Sequence, residues 1–393
     1  MLGARTNLLR VRHGHDQHRV TFVELFFDLV FVFAVTQLSH GLLKHLTPLG
    51  ALQTTLMMLG VWWLWMFTTW ATNWLDPDKA PVRLLLFALM LAGVVLSASI
   101  PRAFEDRALP FACAYVFIQV GRTAFMLWTL KHHDAANYRN FQRIITWLAA
   151  AALFWIGGAF AEPGPRLAIW ALALAIEYAS PLANFWVPGL GRSSTADWRI
   201  EGGHLAERCG LFVIIALGES ILITGATFAE LVWDAATIAA FATSFVCSVA
   251  MWAVYFNIGA ERASRHLASS DDPGRMARSA YTYVHLPIVA GIILAAVADE
   301  LVLHHPGGHT EAATAAAILG GPALYLAGNS LFKRFSAPYF PLSHTVGLAL
   351  LAVLAPTALI ATPLQLTVAA TLVLMVVVTW EWQSLGHRAR PDS

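Results

Sequence analysis

Twelve stretches of about twenty mainly apolar residues divide this sequence, and no other feature constrains its fold as strongly. At 1.5 Å per residue, a helix of that length crosses the ~30 Å hydrocarbon core of a bilayer. The predicted spans are 20–44, 50–73, 82–100, 108–131, 141–160, 166–187, 204–224, 235–258, 277–299, 311–333, 342–361 and 364–383. Clusters of Pro, Gly and charge separate them, such as DPDKAP at 76–81, EPGPR at 162–166 and SSDDPGR at 269–275. The apolar periodicity is helical and lacks the ten-residue alternation of a transmembrane barrel. Composition points to the same class. Apolar residues make up 58% and charged residues 12%, against roughly 25% charged in soluble domains, and mean hydropathy is +0.60. Too little charge remains to cover a water-facing surface. An ordinary cytosolic enzyme, a disordered chain and a secreted disulfide scaffold are all excluded.

The basic start of the chain, MLGARTNLLRVRHGHDQHR, is not followed by a short apolar segment with a cleavage site, so the first apolar run reads as a spanning helix. Lysine and arginine orient the bundle. Nineteen of them, from Arg5 through Lys79, Arg143, Arg192, Arg278 and Lys333 to Arg390, fall on one side; Lys44, Arg102, Arg107 and Arg166 fall on the other. The expectation is a multi-pass protein of the bacterial cytoplasmic membrane with both termini in the cytoplasm. Net charge is +1, so no global field draws nucleic acid. Cys113, Cys209 and Cys247 lie in apolar runs without CxxC spacing and read as packing residues.

The chain also resembles itself. VELFFDLVFVFAVTQL at 23–38 aligns with AERCGLFVIIALGESI at 206–221, placing Glu24 on Glu207 at an offset of 183 residues. LAGVVLSA at 91–98 aligns with VAGIILAA at 289–296, and an Asp-Pro turn precedes each. The expected organisation is a cytoplasmic tail (1–19), a first six-helix half (20–190), a linker (191–203), a second six-helix half (204–383) and a C-terminal tail (384–393). Six is even, so the two halves enter from the same side, as in parallel-repeat transporters.

Charges in hydrocarbon cost about 2.5–3.5 kcal/mol each at a helix centre, so they are expected to face the protein interior. Glu24 and Asp28 share one face at i,i+4, with Arg19 one turn earlier. His204, Glu207, Arg208, Glu219 and Ser220 lie on the seventh span, Arg122 on the fourth, Glu177 on the sixth and His285 on the ninth. By helical rise, Asp28 and Arg122 both come out about 12–13 Å from the cytoplasmic edge, which predicts an ion pair between them. Glu177 falls near mid-membrane and Glu219 about 23 Å from that edge. Acids at successive depths suit a proton or cation path. The alternative is a neutral buried network that fixes helix register.

Of the tryptophans in WWLWMFTTWATNW (62–74), Trp62, Trp63 and Trp65 read as packing or lipid-facing residues, and Trp70 and Trp74 as an interfacial belt. Pro181, Asn184 and Pro287 are candidate helix breaks. Neither histidine cluster, His13–His15–His18 or His304–His305–His309, has a zinc spacing, and no metal or cofactor is expected. GxSxG, HExxH, Walker and GxGxxG motifs are absent.

FVELFFDLVFVFAVTQLSH at 22–40 and GHLAERCGLFVIIALGESIL at 203–222 resemble the bacterial low temperature requirement A family of multi-pass membrane proteins. The resemblance implies that Glu24, Phe27, Asp28, His204, Glu207, Arg208, Gly218 and Glu219 are the positions that matter; it supplies no substrate. Arg19 with Phe27-Asp28 also resembles the first helix of the endolysosomal potassium channel family, although the serine of that motif is missing and helix 7 has no matching Phe-Asp. The reading is therefore an all-α polytopic bundle acting as a secondary transporter or proton/cation pathway. Glu24, Asp28, Glu177, Glu207, Glu219 and Ser220 would line the path, with Arg19, Arg122, His204, Arg208 and His285 as charge partners. The alternative is a membrane-embedded enzyme or accessory protein acting on a lipid or prenyl substrate. Expected partners are the bilayer and a small ion or solute; a homo-oligomer is left open.

Overall fold

The computed structural model describes residues 7–10, 20–194, 202–257, 277–336 and 339–388. It is 83% helical, and no strand occurs among the described residues. The helical runs are α1 (Phe22–Lys44), α2 (Pro48–Trp74), α3 (Ala80–Arg102), α4 (Ala108–Leu130), α5 (Ala135–Ala159), α6 (Pro163–Leu182), α7 (Gly202–Glu230), α8 (Ala235–Phe256), α9 (Ser279–His304), α10 (Ala312–Ser336), α11 (Leu342–Leu359) and α12 (Pro363–Arg388). Eleven are long and apolar enough to cross a membrane; α6, which carries Arg166 and Glu177, is the less apolar exception. The expected polytopic helical bundle is therefore the observed fold.

The helix ends follow local chemistry. At the start of α1 the Glu24 carboxylate reaches back over the first turn, its Oε2 accepting from both the Thr21 N–H and the Thr21 hydroxyl at 2.9 Å. The side chain of Asp134 accepts from the Asn137 N–H at 3.0 Å to start α5, and that of Asp234 accepts from the Thr237 N–H at 2.8 Å to start α8. Pro181 occupies the last turn of α6, after which Asn184 (φ 51°) and Phe185 (φ 48°) turn the chain away. This predicted break thus serves as a helix stop. Arg166, at the start of α6, spends its donors on the carbonyls of Ala103, Glu105, Gly158 and Ala161.

Two compact units are present. Of the described residues, the first comprises 7–10, 20–41, 52–194 and 202–208; the second comprises 42–51, 209–257, 277–336 and 339–388. In the first, a cluster of Leu75, Val82, Met126, Leu130, Phe141 and Ile144 ties the end of α2 to α3, α4 and α5. Residues 7–10, expected to be plain tail, belong to this unit: the Asp76 N–H donates to Leu8 O and the Arg10 N–H to Trp74 O. The side chain of Leu8 is buried in the cluster. In the second unit, the α9–α10 contact is the most extensive, and glycine is what permits it. A Cβ on Gly291 would lie 2.7 Å from the Tyr325 backbone nitrogen, and one on Gly321 would lie 2.8 Å from that of Ala295. Small residues let membrane helices approach until their backbones touch.

Candidate functional site

The first unit holds two centres of buried polarity, joined along one face of α2. The first lies near the start of α1. Glu24 and Asp28 are both fully buried there, one turn apart as their spacing predicts. Arg208, from the second turn of α7, is also fully buried and reaches both. Its Nε donates to Asp28 Oδ2 at 2.9 Å, and its Nη2 bonds the other oxygen of the same carboxylate. Its Nη1 donates to Glu24 Oε1 at 3.3 Å and to Thr72 Oγ1 at 3.1 Å. The fork-to-fork geometry on Asp28 gives direction as well as strength. Trp65 Nε1 completes the Asp28 shell at 2.6 Å.

Glu24 Oε1 also meets His204 Nε2 at 2.9 Å and Arg10 Nη2 at 3.0 Å. The other ring nitrogen of His204 faces Asn73 Nδ2 at 3.4 Å. Arg10 Nη2 also lies 3.3 Å from His204 Nε2, so the imidazole sits between the Glu24 carboxylate and the Arg10 guanidinium. Two carboxylates, Glu24 and Asp28, thus face two guanidiniums, Arg10 and Arg208. Arg10 is fixed by carbonyls at the end of α2, since its Nε donates to Thr72 O at 2.9 Å and Leu75 O at 3.0 Å.

The second centre surrounds Glu177 on α6. Its carboxylate accepts from the Tyr115 hydroxyl at 2.7 Å, Gln119 Nε2 at 2.9 Å and Trp155 Nε1 at 3.0 Å. Tyr115 lies just before, and Gln119 within, a π turn in α4 (Phe117–Gly121), a distortion often found at functional positions. Arg122 follows immediately; it bonds the Gln119 side-chain oxygen and donates to Thr68 Oγ1 at 2.9 Å and Leu64 O at 3.3 Å. Leu64, Thr68 and Thr72 recur every four residues and so share one face of α2. Arg122 touches the first two and Arg208 the third. Buried polar groups thus run from Glu177 through Gln119, Arg122, Thr68 and Thr72 to Arg208, Asp28 and Glu24. Thr68 and Thr72 are separated by about 6 Å along the helix axis, roughly one turn.

Several sequence expectations are corrected. Asp28 does not pair with Arg122. Equal depth fixes height in the bundle but not direction, and Arg208 rather than Arg122 faces α1. Glu207 is exposed rather than buried. It lies in the first turns of α7, at the bundle end, and accepts from the Val20 N–H at 3.2 Å. Trp65 is a partner of the site as well as a packing residue, and Trp63 stacks on Tyr178 with ring centres 4.0 Å apart. Arg19 lies outside the described residues.

Glu219, Ser220 and His285 belong to the second unit. Glu219 is half-buried, and the carbonyl of Ser220 accepts from Thr224 Oγ1 at 2.8 Å. His285 is buried; Nε2 meets the Tyr255 hydroxyl at 2.9 Å and Nδ1 meets Ala280 O at 3.0 Å. Sequence reasoning missed Arg10, which it placed in a tail, and the neutral donors Tyr115, Gln119 and Trp155. It also missed a buried ion pair in the second unit, Lys333 Nζ with the Glu381 carboxylate at 2.8 and 2.9 Å, where Lys333 also donates to Val254 O at 2.9 Å. The four-residue spacing of Tyr115 and Gln119 was the available signal for the Glu177 shell. Among the described residues, no group of three or more His, Cys, Asp or Glu is arranged to hold a metal.

The family model described as bacterial low temperature requirement A protein matches residues 19–379, which include both buried centres from Glu24 onward. A protein of Rhizobium meliloti (strain 1021), named only as an uncharacterized protein, is 41% identical over 386 residues, or 98% of this chain and 94% of its own length. No solved structure matches the chain.

Proposed function

Taking as premise that this chain belongs to the bacterial low temperature requirement A family and crosses the lipid bilayer many times, we propose that its first unit is a proton or cation pathway of a secondary transporter. The observation that carries this reading is the row of buried polar groups along one face of α2, which leads, with one gap of a helical turn, from the Glu177 centre to the Asp28–Glu24 centre near the start of α1. Hydrophobic packing alone gives no reason to sink three carboxylates in hydrocarbon, and such groups characteristically mark ion routes. In this reading Glu24, Asp28 and Glu177 carry the ion, and Arg122 and Arg208 set the charge at each level. His204 belongs to the same cluster, with its Nε2 2.9 Å from Glu24 Oε1. Glu207, exposed at the same end, stands at the mouth. Glu219, Ser220 and His285 are the corresponding candidates in the second unit. The excess of lysine and arginine on one side supports a topology with both termini in the cytoplasm, in keeping with a protein of the bacterial cytoplasmic membrane.

The test is reconstitution into liposomes with an internal pH-sensitive dye, imposed pH gradients and a panel of external cations. The wild type is expected to give pH-dependent flux, and Asp28→Asn and Glu177→Gln are expected to abolish it while remaining folded. Equal flux in the wild type and both variants, or flux no greater than that of protein-free liposomes under every gradient, overturns the reading.

A further inference from the structure

The two guanidiniums at the Glu24–Asp28 centre are attached to the fold in unlike ways. Arg208 is built into α7, is fully buried and holds Asp28 with two donors. Arg10 belongs to no helix. It sits on the short segment 7–10 and reaches inward past the end of α2. Its side chain is 7% exposed, and its Nη2 lies 3.0 Å from Glu24 Oε1.

Few contacts hold this segment. Leu9 and Leu75 form an isolated antiparallel bridge. Two backbone hydrogen bonds make it, from the Arg10 N–H to Trp74 O at 2.8 Å and from the Asp76 N–H to Leu8 O at 2.9 Å. Leu8 is buried in the cluster that contains Leu75 and Phe141, and Leu9 packs against the same cluster. Arg10 Nε adds bonds to the Thr72 and Leu75 carbonyls. A single bridge is less than a hairpin, and an isolated hairpin is at best marginally stable in water. Segments anchored so lightly open locally while the fold beneath them stays intact.

Capping the end of α2 requires only the bonds to the Thr72 and Leu75 carbonyls. The reach to Glu24 does something further. With Arg10 in place, two carboxylates face two guanidiniums. With Arg10 withdrawn, Glu24 keeps Thr21, His204 and the 3.3 Å bond from Arg208, but two carboxylates then share one guanidinium. A buried carboxylate short of counter-charge is costly and draws in positive charge. The Arg10 guanidinium therefore fills the place where an incoming proton or cation would balance Glu24.

We propose that residues 7–10 are a detachable strap that closes the α1 end of the buried polar row, with Arg10 as a tethered substitute for the ion at Glu24. The closure rests on the pathway reading only for what passes when the strap is open.

The experiment locks the strap. Cα atoms of bridge partners lie about 4.5–5.5 Å apart, inside the roughly 4.4–6.8 Å that a disulfide spans. The purified full-length Leu9→Cys/Leu75→Cys protein in detergent is compared, oxidised and reduced, with the wild type and Arg10→Gln. A water-soluble carbodiimide with glycine ethyl ester labels carboxyl groups, and mass spectrometry reads the rate at Glu24, with exposed Glu207 as internal standard. Oxidation should slow Glu24 labelling about tenfold or more, reduction should restore the wild-type rate, and Arg10→Gln should raise it, while Glu207 labels alike in every form. Should the double variant fail to fold, residue-resolved deuterium exchange of the wild type decides: the Arg10 and Asp76 amides should exchange about a hundredfold faster than those near Leu64 in mid-α2, and equal rates overturn the proposal. It is also overturned by Glu24 labelling that oxidation leaves unchanged, by a wild-type Glu24 that never labels while Glu207 reacts, or by liposome flux that persists undiminished in the oxidised variant. Oxidation-sensitive labelling in a protein that gives no flux in any form upholds the strap and refutes the pathway instead.

Discussion

Replacing Arg208 by methionine separates a structural ion network from ordinary interhelical hydrogen bonding. The variant keeps most of the side-chain volume and removes every donor to Asp28 except Trp65 Nε1. Glu24 keeps Thr21, His204 and Arg10, so the orphaned charge is specifically that of Asp28. Stranding one member of a fully buried ion pair costs about 3–5 kcal/mol in soluble proteins. Hydrogen bonds between membrane helices average only about 0.6 kcal/mol and reach about 1.7, because the unfolded chain in lipid finds other partners. A loss of more than about 2 kcal/mol therefore identifies a charged network. Asp28→Asn leaves Arg208 bonded to Glu24 and Thr72 and costs less. The double variant strands no charge, so its loss should fall short of the sum of the single losses by at least about 1 kcal/mol. Reversible unfolding in mixed micelles of increasing SDS content, followed by helical circular dichroism, measures all four corners of the cycle. An Arg208→Met loss under about 1 kcal/mol, or a coupling under about 0.5 kcal/mol, refutes the assignment of Arg208 as the counter-charge of Asp28.

Lys333→Met should destabilise by about 3–5 kcal/mol through the stranded Glu381, and adding Glu381→Gln should recover part of that loss in the same unfolding assay. Trp155→Phe and Tyr115→Phe each remove one donor to Glu177 and should cost about 1 kcal/mol, whereas their effect on flux in liposomes should exceed what that loss explains. Gly291→Ala forces α9 away from the Tyr325 backbone and should cost about 1–3 kcal/mol, while Gly225→Ala, with no atom within 4 Å of the added methyl, should leave the unfolding midpoint unchanged.

The membrane class was readable because it depends on a sum over residues. Twelve apolar runs of bilayer length can be satisfied only as helices, whatever their neighbours. Pro181 was likewise legible as a break, since it acts within a turn of its own position; the caps Asp134 and Asp234 act as locally, yet the sequence reading did not pick them out. The i,i+4 pairing of Glu24 and Asp28 belongs to this class, because helix geometry fixes it before any packing occurs. Partner choice does not. Arg122 and Arg208 sit at comparable depths on separate helices, and the sequence holds no information on which of them faces α1. Arg10 was assigned to a polar tail because nothing in the residues around it announces that Leu8 and Leu9 dock against the end of α2.

The sequence by itself determined that the chain lives in lipid, that its secondary structure is helical, and that its intramembrane charges must find partners, since these follow from transfer energies and local geometry. Only the tertiary structure decided which charges meet. It assigned Asp28 to Arg208, surrounded Glu177 with neutral donors and left Glu207 at the surface. The rotation of each helix about its own axis is a property of the packed bundle, fixed by close contacts such as those at Gly291 and Gly321, and is not carried by any single segment.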